Sequence, residues 1–243
     1  VASGGGHGFD SPSSGITTPS QSPVGLEARA RRTLGGSSDA IHRLVADALR
    51  RRFPAPAETV VDVGCGTGGL FPLLRPLFRR YVGVDAVHYD GFPSEAEFHA
   101  LDLDAGRVPL PDGCADAVVA VETIEHLENP RAFVRELARL ACPGGWVAVT
   151  TPNQLSLLSK ATLVLRGQFN AFQDASYPEH ITALLESDLR RIATECALEE
   201  VAVEHTRRGR VPGTGLHWPA ALAALFPRAL SDNVMLVARK PRG

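Results

Sequence analysis

From Thr59 onward, short runs of apolar and β-branched residues alternate with stretches whose apolar positions recur at helical spacing. The runs predict strands over 59–64, 80–85, 96–101, 115–121 and 145–151, and the intervening pattern predicts helices over 69–79 and 130–141. Segment 86–95 is short and rich in Gly and Pro, so no element is assigned to it. Upstream, Ser37-Ser38-Asp39 offers helix N-cap residues, Ile41, Leu44, Val45, Ala48 and Leu49 follow at helical spacing, and Pro54 and Pro56 end the segment. After residue 180 the pattern predicts a helix over 186–197, a strand over 199–206 and a closing strand over 233–239. Strands alternating with helices imply βαβ units and a parallel sheet covered on both faces.

Two segments break the rhythm. Residues 1–24 are rich in Gly, Ser, Pro and Thr without periodic apolar positions, and such composition cannot offset its ordering entropy; a flexible tail is expected there, with the folded domain over 25–243. Residues 152–181 follow a strand's C-terminal end, where ligands of open α/β sheets bind, and a lid or cap is expected. A packing insertion or interface helix is the alternative.

Composition narrows the classes. Hydrophobic residues make up 44% and charged residues 21% of 243, the balance of one globular domain. The net charge is −2 and no basic block occurs, so nucleic acid is not expected as a partner. Cys65, Cys114, Cys142 and Cys196 form no C-x-x-C pair and no zinc spacing, which suggests a reducing compartment. No apolar run approaches the ~18 residues needed to span a bilayer, and the N-terminal stretch lacks the pattern of a secretory signal. A cytoplasmic protein without a membrane partner is expected, acting on a small-molecule substrate, with a homodimer left open.

The stretch VVDVGCGTGG, Val60–Gly69, carries the first chemistry. Glycines after a strand let the backbone turn tightly into a helix whose free N–H groups face a ligand. Gly64, Gly66 and Gly69 fit the dinucleotide pattern G-x-G-x-x-G; Asp62, Gly64, Gly66 and Gly68 fit D-x-G-x-G-x-G, a loop that holds S-adenosylmethionine. Asp62 discriminates, because an acid there repels pyrophosphate but suits a ligand carrying ammonium and sulfonium charges; a structural acid satisfied by the loop is the other reading. Asp85 closes the second strand, where a carboxylate can accept ribose hydroxyls. Asp102 closes the third and can accept from an adenine amino group, with Leu103 supplying a backbone N–H and apolar contact; a surface turn is the alternative. Cys65 and Ala86 are counted with these candidates.

Together VVDVGCGTGG, GVDAV, LDLD, PLPDGCADAVVAVETIEHLENP, ACPGGWVAVTTPN and NVMLVARKP resemble the class I S-adenosylmethionine-dependent methyltransferases, in order and spacing over roughly residues 40–240. The resemblance implies a Rossmann-like α/β fold: a seven-stranded, mostly parallel sheet in the order 3-2-1-4-5-7-6, strand 7 antiparallel, with helices on both faces. The closing strand pair agrees with that independently. A nicotinamide-dependent oxidoreductase, resting on three glycines, and a non-catalytic cofactor-binding protein are the competing classes.

VETIEHLENP follows the fourth strand. If it rolls into a helical turn, Glu122, Glu125 and His126 share one face. Three readings stand side by side: a divalent metal site, His126 with Glu125 as general-base catalysts, or a structural cluster in which Glu122 lines the cofactor's methionine end. The segment is similar to that of the ubiquinone-biosynthesis O-methyltransferases and the small-RNA 2′-O-methyltransferases. There E-x-x-E-H and a later histidine bind a metal such as magnesium, which here implies Glu122, Glu125, His126 and His180. A hydroxyl needs more activation than an amine or thiolate, so O-methylation is expected, with N- or C-methylation as the alternative. Phe169, Phe172, Tyr177, His217 and Trp218 are candidates for an aromatic or sugar-sized pocket.

Overall fold

A computed structural model describes residues 35–104 and 106–243; the expected tail over 1–24 lies outside them. Seven strands form one sheet: β1 (Ala57–Val63), β2 (Phe78–Asp85), β3 (Glu97–Ala100), β4 (Ala115–Ala120), β5 (Ala141–Pro152), β6 (Glu199–His205) and β7 (Asn233–Arg239). Their order is β3-β2-β1-β4-β5-β7-β6. β1 to β5 pair in parallel, while β7 runs antiparallel between β5 and β6. This is the implied Rossmann-like arrangement.

Period-two side-chain alternation divides the core. Val60, Tyr81, Val119 and Met235 face one layer, packed by α1 (Asp39–Arg52) and the single turn α2 (Phe71–Leu74). Val61, Val82, Val118 and Leu236 face the other, covered by α3 (Pro130–Leu140) and, in the last third of the chain, by the helix Glu186–Glu195. Fully buried strands explain why the runs read as continuously apolar.

Local chemistry sets several boundaries. Asn129 Oδ1 accepts from Ala132 N at 3.0 Å and Pro130 occupies the first turn, so α3 starts there. The helix expected over 69–79 shrinks to α2 because Pro76 has no N–H to donate, and β2 begins already at Phe78. Residues 86–95 contain neither helix nor strand. β5 starts at Ala141, before the expected 145, with a register shift opposite Ala115 and Ala117.

Beyond β5, α4 (Leu157–Arg166) begins at Ser156, whose Oγ accepts from Ser159 N, and ends on left-handed Gly167. An irregular stretch then leads to α5 (Glu186–Glu195). The β6–β7 connection carries α6 (Ala220–Leu225). Both segments lie at the sheet end where β1, β2 and β4 terminate. No helix among the described residues is long and apolar enough to cross a membrane, and all four cysteines are unpaired.

Candidate active site

A cavity of about 960 Å³ opens at that sheet end, lined by the loops after β1 to β5 and by the β6–β7 connection. Its volume stands near the top of the ~300–1,000 Å³ range of small-molecule sites, enough for two ligands side by side.

On the β1–β2–β3 wing, the turn after Val63 depends on glycine. Gly64, Gly66 and Gly68 have φ of 80°, 53° and 76°. A Cβ on Gly64 would stand 2.1 Å from Thr123 Oγ1, and one on Gly66 would stand 2.0 Å from the Gly35 carbonyl oxygen. Asp85 staples this turn to β2: its carboxylate accepts from Gly66 N at 2.9 Å and Val87 N at 3.3 Å. Burial raises its pKa, and these hydrogen bonds oppose the rise.

Asp62 is 2% exposed and accepts from the Tyr81 hydroxyl; its Oδ1 has no hydrogen-bond partner. Loop N–H groups do not satisfy it. Burial pushes its pKa to about 7, so the buried acid lacks the positive charge that would hold it ionised. Cys65, Ala86, Asp102 and Leu103 also line the cavity, and Asp102 Oδ1 accepts from Asp104 N at 3.0 Å. Gly68 does not: its missing Cβ makes room for Pro93. Gly69 packs against His42 of α1, a helix contact rather than a third phosphate-loop position.

The cluster after β4 splits. Glu122 adopts φ 51°, and a 3-10 turn over Ile124–His126 follows in place of an α-helical one. The expected shared face is therefore lost. Glu122 accepts from Asn233 Nδ2 at 2.8 Å and from Thr150 Oγ1 at 3.3 Å. Glu125, His126 and His180 do converge, with one potential ligand atom from each within 4.8 Å of the others. His126 Nδ1 stands 2.8 Å from Glu179 O, and His180 Nδ1 stands 2.6 Å from Ala171 O. A carbonyl only accepts, so each Nδ1 carries the proton and each Nε2 points its lone pair elsewhere.

Glu125 is fully buried and neither carboxylate oxygen has a hydrogen-bond partner. Burial first, and the Glu122 charge second, drive its pKa well above the carboxylate range. It stands behind the cavity wall, which His126 and His180 form. A bound cation would satisfy those orphaned oxygens, and one carboxylate with two imidazoles suits a divalent ion. The residues therefore fit a metal, with Glu122 outside the group.

Residues that sequence reasoning passed over complete the wall. Asn153, Gln154, Ser156 and Ser159 line it and are nearly inaccessible to solvent. Ser159 Oγ donates to Gln154 Oε1 at 3.0 Å, and Gln154 Nε2 donates to Pro152 O at 2.9 Å. The expected aromatic lining is corrected: of Phe169, Phe172, Tyr177, His217 and Trp218, only His217 lines the cavity. Phe172 packs on His180 instead, and Tyr177 is 70% exposed.

The sheet order β3-β2-β1-β4-β5-β7-β6, the glycine turn after β1 and the acids at successive strand ends form a Rossmann-like ligand site. Residues 37–202 match the family described as a methyltransferase domain, and the chain belongs to it: a class I S-adenosylmethionine-dependent methyltransferase. It is 31% identical over 142 residues to a protein of Mycolicibacterium smegmatis named as a probable S-adenosylmethionine-dependent methyltransferase, covering 55% of this chain and 54% of that one. It is 28% identical over 167 residues to the ubiquinone biosynthesis O-methyltransferase of Albidiferax ferrireducens, covering 63% and 64%. The chain spans about half the length of the curated relatives it matches. A SAM-dependent methyltransferase from Archaeoglobus fulgidus superposes with a TM-score of 0.56 at 19% identity, over 86% of this chain and 97% of that one, a likeness of fold.

Proposed function

We propose that the protein transfers the methyl group of S-adenosylmethionine to a hydroxyl of a small polar molecule. The observation that carries this reading is the convergence of Glu125, His126 and His180, with the two histidines on the wall of the cavity and Glu125 buried behind them. The β1–β3 wing, with Asp62, Asp85, Asp102 and Leu103, would hold the cofactor; the opposite wing, with Gln154, Ser159 and Asn170, would hold the acceptor. Residues 152–181 would serve as the cap over that acceptor half. The ubiquinone-biosynthesis relative supports oxygen as the acceptor atom.

Glu125, His126 and His180 would hold a divalent ion, which when bound lowers the pKa of an acceptor hydroxyl. The chain's own work is positional. Methyl transfer is a displacement at an already activated sulfonium, so aligning acceptor and methyl supplies much of the acceleration. Asp62 offers a negative site to the cofactor's cationic end. Glu122, tied to Thr150 and Asn233, fixes the rim between the wings. Polar groups at the buried wall orient a hydroxylated acceptor and exclude water.

One observation favours a second reading without metal. His126 holds its proton on Nδ1 towards Glu179 O, which leaves Nε2 able to take the acceptor's proton. Chelation separates the two. Release of S-adenosylhomocysteine from a panel of hydroxylated acceptors should stop in EDTA and return with added Mg²⁺, Mn²⁺ or Zn²⁺. Full turnover in EDTA would leave His126 as the base. Absence of both S-adenosylmethionine binding and turnover would overturn the proposal.

A further inference from the structure

The wall opposite the cofactor wing carries two arginines, Arg208 and Arg210. They differ in one respect. Arg210 is matched: its Nε lies 2.9 Å from Asp232 Oδ2, and its backbone N–H also reaches that carboxylate at 3.2 Å. The Arg208 guanidinium has no acid and no hydrogen-bond acceptor among the described residues, although it lines a cavity rich in carboxylates.

Four of those carboxylates already accept hydrogen bonds from other groups. Asp232 holds Arg210, Glu122 accepts from Asn233 and Thr150, Asp85 from Gly66 and Val87, and Asp102 from Asp104. Meanwhile the backbone around Arg208 is pinned on both sides. Arg207 adopts φ 51°, a left-handed conformation that costs a non-glycine residue about 1–3 kcal/mol. Its N–H donates to Ser231 Oγ at 2.9 Å, Arg208 O accepts from Asp232 N at 3.0 Å, and Gly209 O accepts from Trp218 N at 3.0 Å. Gly209 is buried, and a Cβ there would stand 2.5 Å from Leu230 O. Arg208 is exposed, and a cation on a fixed backbone with no internal counter-ion is available to an anion from outside.

Sheet order says which ligand. Arg208 follows β6, and β6 is separated from β4 by β5 and β7. At ~4.8 Å between strands, Arg208 starts roughly 14 Å from the Glu125–His126 turn and farther still from the β1 glycines. The guanidinium therefore belongs to the acceptor half, about one sugar ring or more from the reacting hydroxyl once its own length is subtracted.

We infer that Arg208 is the anion-recognising residue of the acceptor pocket, and that the acceptor is a polyhydroxylated small molecule bearing a carboxylate or phosphate on the side away from the methylated hydroxyl. This rests on the proposed division of the cavity into cofactor and acceptor wings, but not on the transfer step or on a metal.

The test is therefore a binding measurement. The protein loaded with S-adenosylhomocysteine is titrated calorimetrically with D-glucuronate, D-glucose 6-phosphate and D-glucose. At least one charged sugar should bind at least about tenfold more tightly than D-glucose, and the stronger of the two identifies the oxyanion. In Arg208→Gln that preference should fall to within about twofold of unity, while Arg208→Lys keeps part of it and S-adenosylhomocysteine affinity stays unchanged. Equal affinity for charged and neutral sugars, no measurable binding of any of them, or a preference that survives Arg208→Gln would overturn the inference. Weakened S-adenosylhomocysteine binding in Arg208→Gln would place the guanidinium on the cofactor's own carboxylate and overturn it too. Failure of turnover with intact charge-selective binding would instead count against the methyl-transfer proposal alone.

Discussion

His126 and His180 meet edge to face, ring centroids 4.8 Å apart, and each holds its Nδ1 on a carbonyl of the connecting segment between α4 and α5. The same segment is tied back to the 3-10 turn, because Ile181 N and Thr182 N both donate to Glu125 O at 3.0 Å. Two imidazoles distant in sequence are thus set by one short stretch of backbone, with Glu125 beneath them.

His180→Ala removes one arm of that cluster. Turnover should fall on the order of 100-fold if the cluster activates the acceptor, while S-adenosylhomocysteine affinity, measured by calorimetry, should change less than about threefold. Parallel losses in both would make the histidine a structural support of the cavity.

Asp85→Ala removes the acceptor proposed for the ribose hydroxyls, and also the staple to Gly66 N and Val87 N. Cofactor binding should weaken by about 1.5–3 kcal/mol. Thermal stability should drop as well, since two backbone donors lose their partner. An unchanged Kd would put the ribose elsewhere.

Asp62 gives a pH prediction whose sign follows from its raised pKa. The folded protein binds this proton more tightly than the unfolded chain, from about 7 against an ordinary 3.8. Its contribution to stability is therefore full below pH 3.8 and is lost as pH rises through 7. The stability of wild type relative to Asp62→Asn should decline across that window, by at most about 1.4 kcal/mol per pH unit. A cationic ligand beside Asp62 favours its ionised form, so cofactor binding near pH 6.5 should release a proton. Calorimetry in buffers of different ionisation enthalpy reads that release, and its persistence in Asp62→Asn would assign the proton to another group.

Gly66→Ala and Gly91→Ala form a matched pair. Gly66 has φ 53° and backbone 2.0 Å from the added methyl, whereas the nearest atom to a Cβ on Gly91 is 3.6 Å away. Gly66→Ala should destabilise the protein by about 2–4 kcal/mol or more; Gly91→Ala should stay within about 0.5 kcal/mol of wild type. Chemical denaturation measures both, and a mild Gly66 variant would mean that the loop relaxes away from Gly35.

Much of the fold is legible along the chain because its signals are local. Buried parallel strands must be apolar on both faces, so VVDVG and YVGVD announce themselves, and Asn129-Pro130 marks the start of α3. Where the local signal fails, a nearby competitor explains it: Pro76 cuts short the helix expected over 69–79. The acids at the ends of β1 and β2 were also readable, because a strand's end is a place that the sequence pattern locates.

The sequence by itself determined the element order, the glycine turn and the class of fold, since period, propensity and steric need at glycine act over a few residues. Only the tertiary structure decided which functional side chains meet. Left-handed Glu122 pairs with Asn233; Glu125, His126 and His180, three of the four expected ligands, converge; the polar wall comes from the turn after β5 and the start of α4, and the unpaired Arg208 from the β6–β7 connection. Spacing along a helix predicts neighbours only while the helix lasts. Once a single left-handed residue and a 3-10 turn replace it, contact is set by the packing of distant strands, which no local pattern encodes.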